Sequence, residues 1–308
     1  MERYCAAARS KLNYVKGAAF GFAAASIWAG QSPITRLGVT TQLDAWDVAL
    51  LRFGIAGIIL IPILLWRGLA LHRIGWCGLA LMIVGGGAPY VLLAAAGFGL
   101  APANDQAALN PGTVPLFVAL IGVIVDGEKL TAARGLGLVL IAAGALLFIG
   151  WYAASWNTPR TLGHALGLAA AFLWACFTVI MSKGKLHPLH AVALVSTGSL
   201  LIYLPIYVAM YGTRLALLPP ADLAVQAIYQ GILVTIVSLI FYARAIDTLG
   251  MSGAAAFGAL VPALSGLFAI PLLGEWPNAI DWPGMLLVSI GVYLASGGPV
   301  PGKTQQCG

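Results

Sequence analysis

Long apolar segments alternate with short polar ones along almost the whole chain. Ten runs of about 20 residues are predominantly apolar and are bounded by charged residues or by clusters of proline and glycine. A transmembrane helix needs about this length, whereas a membrane β-strand would alternate strictly between apolar and polar residues. The pattern therefore predicts an all-α membrane protein with ten transmembrane helices. The predicted spans cover residues 18–38, 47–66, 74–100, 105–125, 131–151, 163–182, 188–210, 222–244, 252–273 and 281–297.

Composition and charge exclude a water-soluble globule. Only 8% of the 308 residues are charged and 60% are hydrophobic, whereas soluble domains carry roughly 25% charged residues. So little charge cannot cover the surface of a soluble protein, and the apolar residues must therefore face a lipid bilayer. The net charge is +6, but the basic residues are scattered singly between apolar runs and form no patch. We therefore expect no nucleic acid among the partners.

The basic side chains predict the orientation of the chain, because lysine and arginine accumulate in short cytoplasmic loops. If the N-terminus is cytoplasmic, the cytoplasmic segments contain Arg3, Arg9, Lys11, Lys16, Arg67, Arg73, Lys129, Arg134, Lys183, Lys185, Arg244 and Lys303. The opposite side contains Arg36, Arg160 and Arg214. A missed or surplus span would scramble this bias downstream of the error. We therefore predict an even number of spans near ten, with both termini in the cytoplasm.

The sequence contains an internal repeat. Residues 114–150 match residues 261–297 at a constant offset of 147 positions, and an upstream match has an offset of 146. The equivalent pairs include Gly17 and Gly163, Trp28 and Trp174, Glu128 and Glu275, Gly137 and Gly284, and Gly144 and Gly291. Each copy holds five predicted helices, and because five is odd, the second copy enters the membrane from the opposite face. Such inverted repeats are common in secondary transporters, where two packings of similar energy open one central site to either side.

The repeat and the predicted spans give the domain organisation. We expect a cytoplasmic N-terminal tail at residues 1–16, a first five-helix repeat at 17–151, a periplasmic linker at 152–162, a second five-helix repeat at 163–298 and a cytoplasmic C-terminal tail at 299–308. The expected assembly is a monomer or a weak homo-oligomer.

At several of these residues the sequence resembles the EamA family of the drug/metabolite transporter superfamily. The resemblance is carried by Trp28, Gln31, Arg36, Leu51-Arg52-Phe53, Pro115, Gly127-Glu128-Lys129-Leu130-Thr131, Gly144, Trp174-Ala175, Tyr242-Ala243, Ala254-Ala255, Pro262, Gly274-Glu275 and Gly291. It covers both halves of the chain. It implies a transporter of the bacterial cytoplasmic (inner) membrane, commonly an exporter of amino acids or related metabolites, with a small molecule as its partner.

Two helix-breaking segments mark a candidate substrate site. The third span carries Gly85-Gly86-Gly87-Ala88-Pro89 near its middle, and the fourth carries Asn110-Pro111-Gly112. Unwound backbone offers unpaired N–H and C=O groups to a ligand near the membrane midplane. Tyr90 and Asn110 lie beside these breaks and can supply an aromatic ring and an amide. The alternative is a kink that serves only packing, since glycine and proline are frequent in membrane helices.

Arg52 is the most deeply placed charge, about one and a half turns into the second span. An ionised group inside a membrane is costly enough to be a candidate functional residue, and an arginine can bind a carboxylate in bidentate fashion. Two alternatives are open for Arg52. Its long side chain can reach the interface, or it can pair with a carboxylate among Asp44, Asp47 and Asp105.

Three aromatic residues complete the predicted substrate-binding set. Trp28 and Trp174 occupy equivalent places and are candidates for lining one cavity, although interfacial anchoring explains most membrane tryptophans. Tyr242 is a polar aromatic residue inside the eighth span. Hydrogen bonding between helices is an alternative role for Tyr242 and for the other polar residues in or near spans, which are Gln31, Gln106, Thr178, Gln230, Ser238 and Ser265.

The remaining ionisable residues disfavour catalysis and proton coupling. All ten acidic residues and all four histidines fall in tails, loops or span ends. Glu128 and Glu275 precede helices, where a carboxylate is hydrated and favoured by the helix dipole. The four cysteines lie far apart and are interpreted as unpaired thiols. We expect no metal, no cofactor and no enzymatic activity, and transport by facilitated diffusion or exchange. The alternatives are a cationic multidrug exporter, a channel and a membrane-embedded enzyme.

Overall fold

A computed structural model describes residues 2–152 and 159–297, apart from the side chains of residues 2–13, 151, 152, 251, 252 and 255. Within these ranges the chain is helical and contains no β-strand, so the all-α prediction is confirmed. The predicted C-terminal tail at 299–308 and residues 153–158 of the predicted linker lie outside the described residues.

Thirteen α-helices, two short 3₁₀-helices and one π-helix make up the described fold. The α-helices are α1 (Glu2–Val39), α2 (Ala45–Arg67), α3 (Leu71–Gly86), α4 (Ala88–Leu100), α5 (Ala103–Leu109), α6 (Val114–Asp126), α7 (Ala132–Tyr152), α8 (Pro159–Lys183), α9 (Pro188–Tyr211), α10 (Pro220–Gln226), α11 (Ser238–Gly258), α12 (Val261–Leu273) and α13 (Asp281–Ala295). The 3₁₀-helices cover Pro111–Thr113 and Arg214–Leu217, and the π-helix covers Ala227–Val237.

Eight helical segments of the described chain are long and apolar enough to cross a bilayer. They are Ala45–Arg67, Leu71–Leu100, Ala103–Asp126, Ala132–Gly150, Pro159–Lys183, Pro188–Tyr211, Pro220–Gly250 and Ala256–Leu273. These segments correspond to the second to ninth predicted spans. The first predicted span lies within α1, and the tenth corresponds to α13, which is apolar but shorter, with 15 residues.

Both predicted helix breaks are confirmed. Gly87 separates α3 from α4 with an extended backbone (φ −99°, ψ −148°), and the next N–H, that of Ala88, donates to Ser199 Oγ at 3.2 Å. A Cβ atom at Gly87 would collide with Ile83 O and Ser199 Oγ, so the close approach of α9 requires glycine here. The second break lies at Asn110, where α5 gives way to the 3₁₀ turn that precedes α6.

Equivalent helices of the two halves pack antiparallel. A Cβ atom built on Gly137 of α7 would lie 2.7 Å from Gly291 O of α13, and one built on Gly144 would lie 2.9 Å from Gly284 O. Because Gly137 is equivalent to Gly284 and Gly144 to Gly291, each contact is the image of the other. A pseudo-two-fold axis therefore passes between α7 and α13, and small residues on that axis let the two backbones approach closely.

A second equivalent pair, α2 and α9, is also antiparallel. The Tyr207 hydroxyl of α9 donates to the Asp47 carboxylate at the start of α2, whereas His190 at the start of α9 bonds to the carbonyl of Gly68 just after α2, at 2.8 Å. The largest buried apolar cluster lies around this pair, α4 and α8. The two halves therefore interlock through reciprocal contacts rather than forming separate bundles.

The two ends of the bundle can be identified from Glu275 and Glu128. The backbone N–H of Ala103, at the start of the Ala103–Asp126 segment, donates to Glu275 Oε2 at 3.0 Å. Glu128 follows the other end of that 24-residue segment, which at a rise of 1.5 Å per residue is about 35 Å away. We refer to these as the Glu275 end and the Glu128 end.

The packing of the two ends differs. At the Glu275 end, α1 packs against α4 and α5, and α2 packs closely against α4. The equivalent contacts at the Glu128 end are those of α8 and α9 with α11, and the described residues show no comparable packing there. The pseudo-symmetry of the helices is therefore broken by a tighter closure at one end.

Candidate functional site

Arg52 lies in a narrow cavity between both halves of the chain. Arg52 is only 6% exposed. The cavity volume is about 10 Å³, which is room for about one water molecule. The residues that line this Arg52 cavity are Gln31 and Thr35 of α1, Val48 and Arg52 of α2, Tyr90, Val91, Ala94, Ala95 and Phe98 of α4, and Gln230 of the π-helix. Its wall therefore combines four uncharged polar side chains, one cation and an apolar face.

Tyr90 joins the Arg52 cavity to two other predicted site residues. Its ring packs against Trp174 with the ring centroids 4.8 Å apart, and the Asn110 side chain lies near its hydroxyl, although no described hydrogen bond joins the two. Tyr90 and Asn110 are 7% and 3% exposed. Because Tyr90 follows the α3–α4 break and Asn110 forms the α5 break, the two interrupted helices meet at these side chains.

The other two predicted site residues form a separate aromatic pair. Trp28 of α1 packs against Tyr242 of α11 with the ring centroids 5.1 Å apart. Trp28 also belongs to a small apolar cluster with residues of α11 and α12. This pair parallels Tyr90 and Trp174, because each of the two equivalent tryptophans packs against a tyrosine.

The structure thus brings four of the six predicted residues into one connected group and leaves two apart. Arg52, Tyr90, Asn110 and Trp174 are linked through Tyr90, whereas no described contact joins Trp28 and Tyr242 to that group. Gln31, one turn after Trp28, does reach the Arg52 cavity. A substrate-binding role for all six residues stays a prediction.

The aspartates considered as partners of Arg52 are engaged elsewhere. Asp44 and Asp47 pair with Arg214 at 3.5 and 3.3 Å, and Asp105 accepts from Arg160 at 2.7 Å. In the part of the chain that the structure describes, no ion pair includes Arg52, and its Nε atom is buried without a hydrogen-bond partner. The pairing alternative for Arg52 is therefore wrong, and its low exposure also argues against a side chain extended into water.

A polar cluster closes the Glu275 end. Arg36 Nε donates to Glu275, and Arg36 Nη1 donates to the carbonyl oxygens of Phe98 at 2.6 Å and Ala101 at 2.8 Å. The other carboxylate oxygen of Glu275 accepts from the Ala103 N–H. We call this set of five residues the Glu275 lock. It ties the end of α1 and the α12–α13 loop to the connection between α4 and α5.

The Glu275 lock adjoins the Arg52 cavity. Phe98 lines the cavity, and its carbonyl oxygen accepts a hydrogen bond from Arg36. Thr35, which also lines the cavity, directly precedes Arg36 in the chain. The sequence predicts a structural role for Glu275 at a helix boundary, and the contacts of the lock extend that role across the bundle. The Glu275 side chain is 24% exposed and connects three parts of the bundle. Single sequences do not reveal such a contact, because Arg36 and Glu275 are 239 positions apart.

Glu128, the equivalent of Glu275, has a local partner only. It pairs with Arg134 in the first turn of α7, and its side chain is 43% exposed. The neighbouring pair of Asp126 and Lys183 is 45% and 49% exposed. At the Glu128 end, the helix-start interpretation of the carboxylate holds. The polar closure of the Glu275 end has no counterpart there among the described residues.

Three carboxylates at the Glu275 end are buried, which the sequence did not predict. Asp105 is fully buried and accepts from Arg160 Nε at 2.7 Å and Arg160 Nη2 at 2.9 Å, with His164 Nε2 also at 2.7 Å. Asp281 accepts from Asn104 at 3.0 Å, and Asp47 is the third. Each lies within three residues of the start of its helix, so its placement at a span end agrees with the prediction.

Four of the polar residues inside spans make hydrogen bonds of two kinds. Gln106 Nε2 donates to the Gly163 carbonyl at 2.6 Å, and Gln230 Nε2 donates to Thr35 Oγ1 at 2.7 Å, so both join different helices as expected. The hydroxyls of Thr178 and Ser238 instead donate to carbonyls four residues earlier in the chain. Within the described residues, no group of three His, Cys, Asp or Glu side chains has the arrangement of a metal site.

Comparisons with known proteins agree with this architecture. The model of the EamA-like transporter family matches residues 15–150 and 161–297. A crystal structure with 18% sequence identity superposes with a TM-score of 0.60, covering 91% of this chain and 96% of that chain, which is a likeness of fold alone.

Three related proteins carry names that concern transport. The chain is 28% identical over 277 residues to an uncharacterized transporter of Archaeoglobus fulgidus, with 88% of this chain and 93% of that protein covered. It is 28% identical over 286 residues to a riboflavin transporter of Brucella anthropi, with 88% and 92% covered. It is 31% identical over 194 residues to a probable amino-acid metabolite efflux pump of Salmonella typhimurium, with 58% and 62% covered.

Proposed function

This chain belongs to the EamA-like transporter family, and we propose that it is a secondary transporter that exports small organic metabolites, with amino acids as the leading substrates, by alternating access. The named relatives are transporters and efflux pumps, so the coarse assignment to membrane transport follows from the family. The substrate, the direction and the mechanism are the parts that we propose.

The proposed framework is ten transmembrane helices arranged as two inverted five-helix repeats. The eight long apolar segments are the second to ninth spans, and α1 and α13 are the first and the last. The antiparallel packing of α7 with α13, and of α2 with α9, supports the inversion, because the corresponding helices of the two repeats must then run in opposite directions.

The observation that carries the mechanism is the difference between two equivalent glutamates. Glu275 closes one end of the bundle through the Glu275 lock, whereas Glu128 at the other end pairs only with Arg134. In an inverted repeat, exchange of the two conformations produces a second state with the same kinds of contacts and therefore a similar energy. We propose that the Arg52 cavity is thereby shielded from one side and then from the other.

The contacts of Glu128 in the second state follow from the repeat. The positions equivalent to Arg36 and Ala103 are Ser182 and Gly250, at offsets of 146 and 147. Ser182 precedes Lys183, a cation that now pairs with exposed Asp126 at 2.7 Å. We propose that Lys183 moves to Glu128 when the Glu128 end closes, and that backbone near Gly250 supplies the second contact.

The proposed setting is the bacterial cytoplasmic (inner) membrane, with both termini in the cytoplasm and a monomer or a weak homo-oligomer as the functional unit. The distribution of lysine and arginine supports this orientation, which makes the Glu275 end the periplasmic one. With the periplasmic end closed, we expect the substrate to enter from the cytoplasmic face, as an exporter requires.

Amino acids lead the substrate proposal because the Salmonella typhimurium relative is named as a probable amino-acid metabolite efflux pump. A cationic drug is the second candidate for the cargo, and a membrane-embedded enzyme is the alternative from another class. None of the described residues that line the Arg52 cavity is an acid, which disfavours a cation in that position. Catalysis is not part of the proposal, and we expect facilitated diffusion or exchange without a central carboxylate.

Purified protein in liposomes tests transport directly. Vesicles loaded with labelled amino acids are expected to show saturable efflux that accelerates when unlabelled amino acid is present outside, as a carrier requires. Cross-linking cysteines introduced at positions 36 and 275 with a short thiol-cleavable reagent is expected to abolish this flux, and reductant to restore it. Unsaturable flux would favour a channel, and accumulation against a gradient driven by pH alone would refute the uncoupled mechanism.

Topology is tested with single cysteines in a background where the native cysteines are replaced by serine. A membrane-impermeant maleimide is expected to label position 128 from the cytoplasmic face and position 275 from the periplasmic face. Labelling of both positions from one face contradicts the inverted arrangement, whatever the substrate is.

A further inference from the structure

Arg52 is a buried cation for which the described chain supplies no counter-charge. It is 6% exposed, its Nε has no hydrogen-bond partner, and the three candidate aspartates bind Arg214 and Arg160. An aromatic contact is made with the Phe53 ring, whose centroid lies 6.0 Å from the guanidinium carbon. That distance is at the outer limit of a cation–π contact, and a ring carries no net charge.

A guanidinium cannot escape this situation by losing its proton. Arginine stays protonated in proteins, whereas a buried lysine, histidine or carboxylic acid can become neutral. An uncompensated charge inside a protein in a membrane is expensive, and such residues usually face a partner or a transport pathway. An anionic group that enters the Arg52 cavity would supply the opposite charge.

The walls of the Arg52 cavity suit a small anionic group attached to an apolar body. Gln31, Thr35, Tyr90 and Gln230 contribute amide and hydroxyl groups to the cavity that Arg52 lines, while the alanines of α4 and Phe98 form the apolar side. The lining residues that the structure describes include no carboxylate. A carboxylate fits the planar fork of arginine with two parallel hydrogen bonds, which also fixes its orientation.

We propose that Arg52 recognises the carboxylate of the transported metabolite, so that the transporter accepts carboxylate-bearing substrates and rejects cations and carboxyl-free analogues. This inference rests on the proposed function and narrows its substrate class. The cavity has room for about one water-sized group. The head group therefore binds there, and the remainder of the cargo occupies space that opens between the helices when the Glu275 lock or the Glu128 end separates.

The test measures binding and flux for matched pairs of probes. L-phenylalanine and L-leucine are compared with their amides, which keep the side chain and the amino group but lack the carboxylate, and riboflavin serves as a carboxyl-free metabolite. A ligand of the native state raises the thermal unfolding temperature of the purified protein by mass action. The amino acids are expected to raise it and to show saturable flux, and the amides to do neither.

Arg52→Gln and Arg52→Lys separate charge from shape. Arg52→Gln is expected to weaken amino-acid binding about 10- to 100-fold, as expected for loss of a charge-assisted hydrogen-bonded pair. Arg52→Lys keeps the charge without the planar fork and is expected to retain part of the affinity. Arg67→Gln, which removes an exposed arginine at the other end of α2, is the matched control and is expected to bind like the parent protein.

Several results would overturn the inference. They are equal responses of the parent protein to an amino acid and to its amide, saturable flux of riboflavin with none for amino acids, and stabilisation by chloride that is not exceeded by any carboxylate. The acid-and-amide comparison uses the unmodified protein, so it decides the matter even if Arg52→Gln does not fold. Absence of saturable flux for every probe would instead count against the proposed transport function.

Discussion

Glu128 and Glu275 are equivalent in the internal repeat, yet they lie at opposite ends of the bundle and bind different partners. Glu275 bonds to Arg36 and to the backbone of Ala103, whereas Glu128 bonds to Arg134 six residues away. The same sequence motif therefore closes one end through contacts distant in sequence and leaves the other end with a local ion pair. This asymmetry is what distinguishes the two ends of a nearly symmetric molecule.

Removing the charge of Glu275 should open the Glu275 end. In a protein without native cysteines, Thr35→Cys provides a reporter, since Thr35 is 3% exposed and lines the Arg52 cavity. We expect Glu275→Gln to raise the rate at which an impermeant thiol reagent labels position 35 from the Glu275 side by about tenfold, which corresponds to about 1.4 kcal/mol. Labelling is followed by mass spectrometry.

The control for this experiment is Glu128→Gln, which should not raise labelling from the Glu275 side. Exchange of the two charges, Arg36→Glu with Glu275→Arg, should not restore the closed state. The reason is that a carboxylate at position 36 cannot donate to the carbonyls of Phe98 and Ala101, as the guanidinium does. Equal labelling of Glu275→Gln and the parent protein would mean that the lock does not hold this end closed.

Glycine at the crossing of α7 and α13 should be required for stability. A Cβ at Gly137 would lie 2.6 Å from Ala295 N and 2.7 Å from Gly291 O, which are backbone atoms that cannot rotate away. We expect Gly137→Ala to destabilise the protein by about 1–3 kcal/mol through overpacking. Gly135→Ala, two residues earlier on the same helix and with nothing within 4 Å, should be neutral or slightly stabilising. Thermal unfolding midpoints in detergent compare the two variants.

Asp105 should be a major contributor to stability at the Glu275 end. Its replacement by asparagine keeps the size of the side chain but leaves Arg160 and His164 against a neutral amide. We expect the free energy of unfolding to fall by about 3 kcal/mol, because removal of one member of a buried ion pair leaves the opposite charge without compensation. Asp126→Asn, which affects a pair about half exposed on both sides, should cost about 1 kcal/mol or less. Similar unfolding midpoints for both variants would contradict this assignment.

The two tyrosines that pack against the equivalent tryptophans should differ in their effect on substrate affinity. The Tyr90 hydroxyl lies beside Asn110 and Tyr90 lines the Arg52 cavity, whereas Tyr242 is outside that cavity. We expect Tyr90→Phe to weaken amino-acid binding about 2- to 10-fold, the range for one lost hydrogen bond. Tyr242→Phe should leave the affinity unchanged. Titration of the thermal shift with L-phenylalanine measures both constants.

Most of the fold follows from periodicity and length, because each membrane helix satisfies its own backbone hydrogen bonds and can be recognised in isolation. The breaks at Gly87 and Asn110 were predictable for the same reason, since glycine and proline act locally. The π-helix at Ala227–Val237 was not, because its residues are ordinary helix formers. Its Gln230 reaches Thr35 only because α1 packs against it.

The candidate site was predicted less completely. Burial of an ionised side chain depends on neighbours from other helices. From the sequence, an ion pair with an aspartate, a side chain extended to the interface and ligand binding were therefore equally acceptable roles for Arg52. The structure removed the pairing alternative by assigning Asp44, Asp47 and Asp105 to other cations. The Glu275 lock was missed because its ion pair joins the two halves of the chain.

The sequence by itself determined that this is an all-α membrane protein of duplicated origin, because the length of a hydrophobic run and the spacing of a repeat depend only on the order of residues along the chain. Only the tertiary structure decided which end of the bundle is closed, which acids are buried and that the described chain gives Arg52 no counter-charge. Those properties arise from contacts between residues far apart in the chain. Two equivalent motifs can therefore have different environments, since the pseudo-symmetry of the sequence does not force both ends into one conformation at the same time.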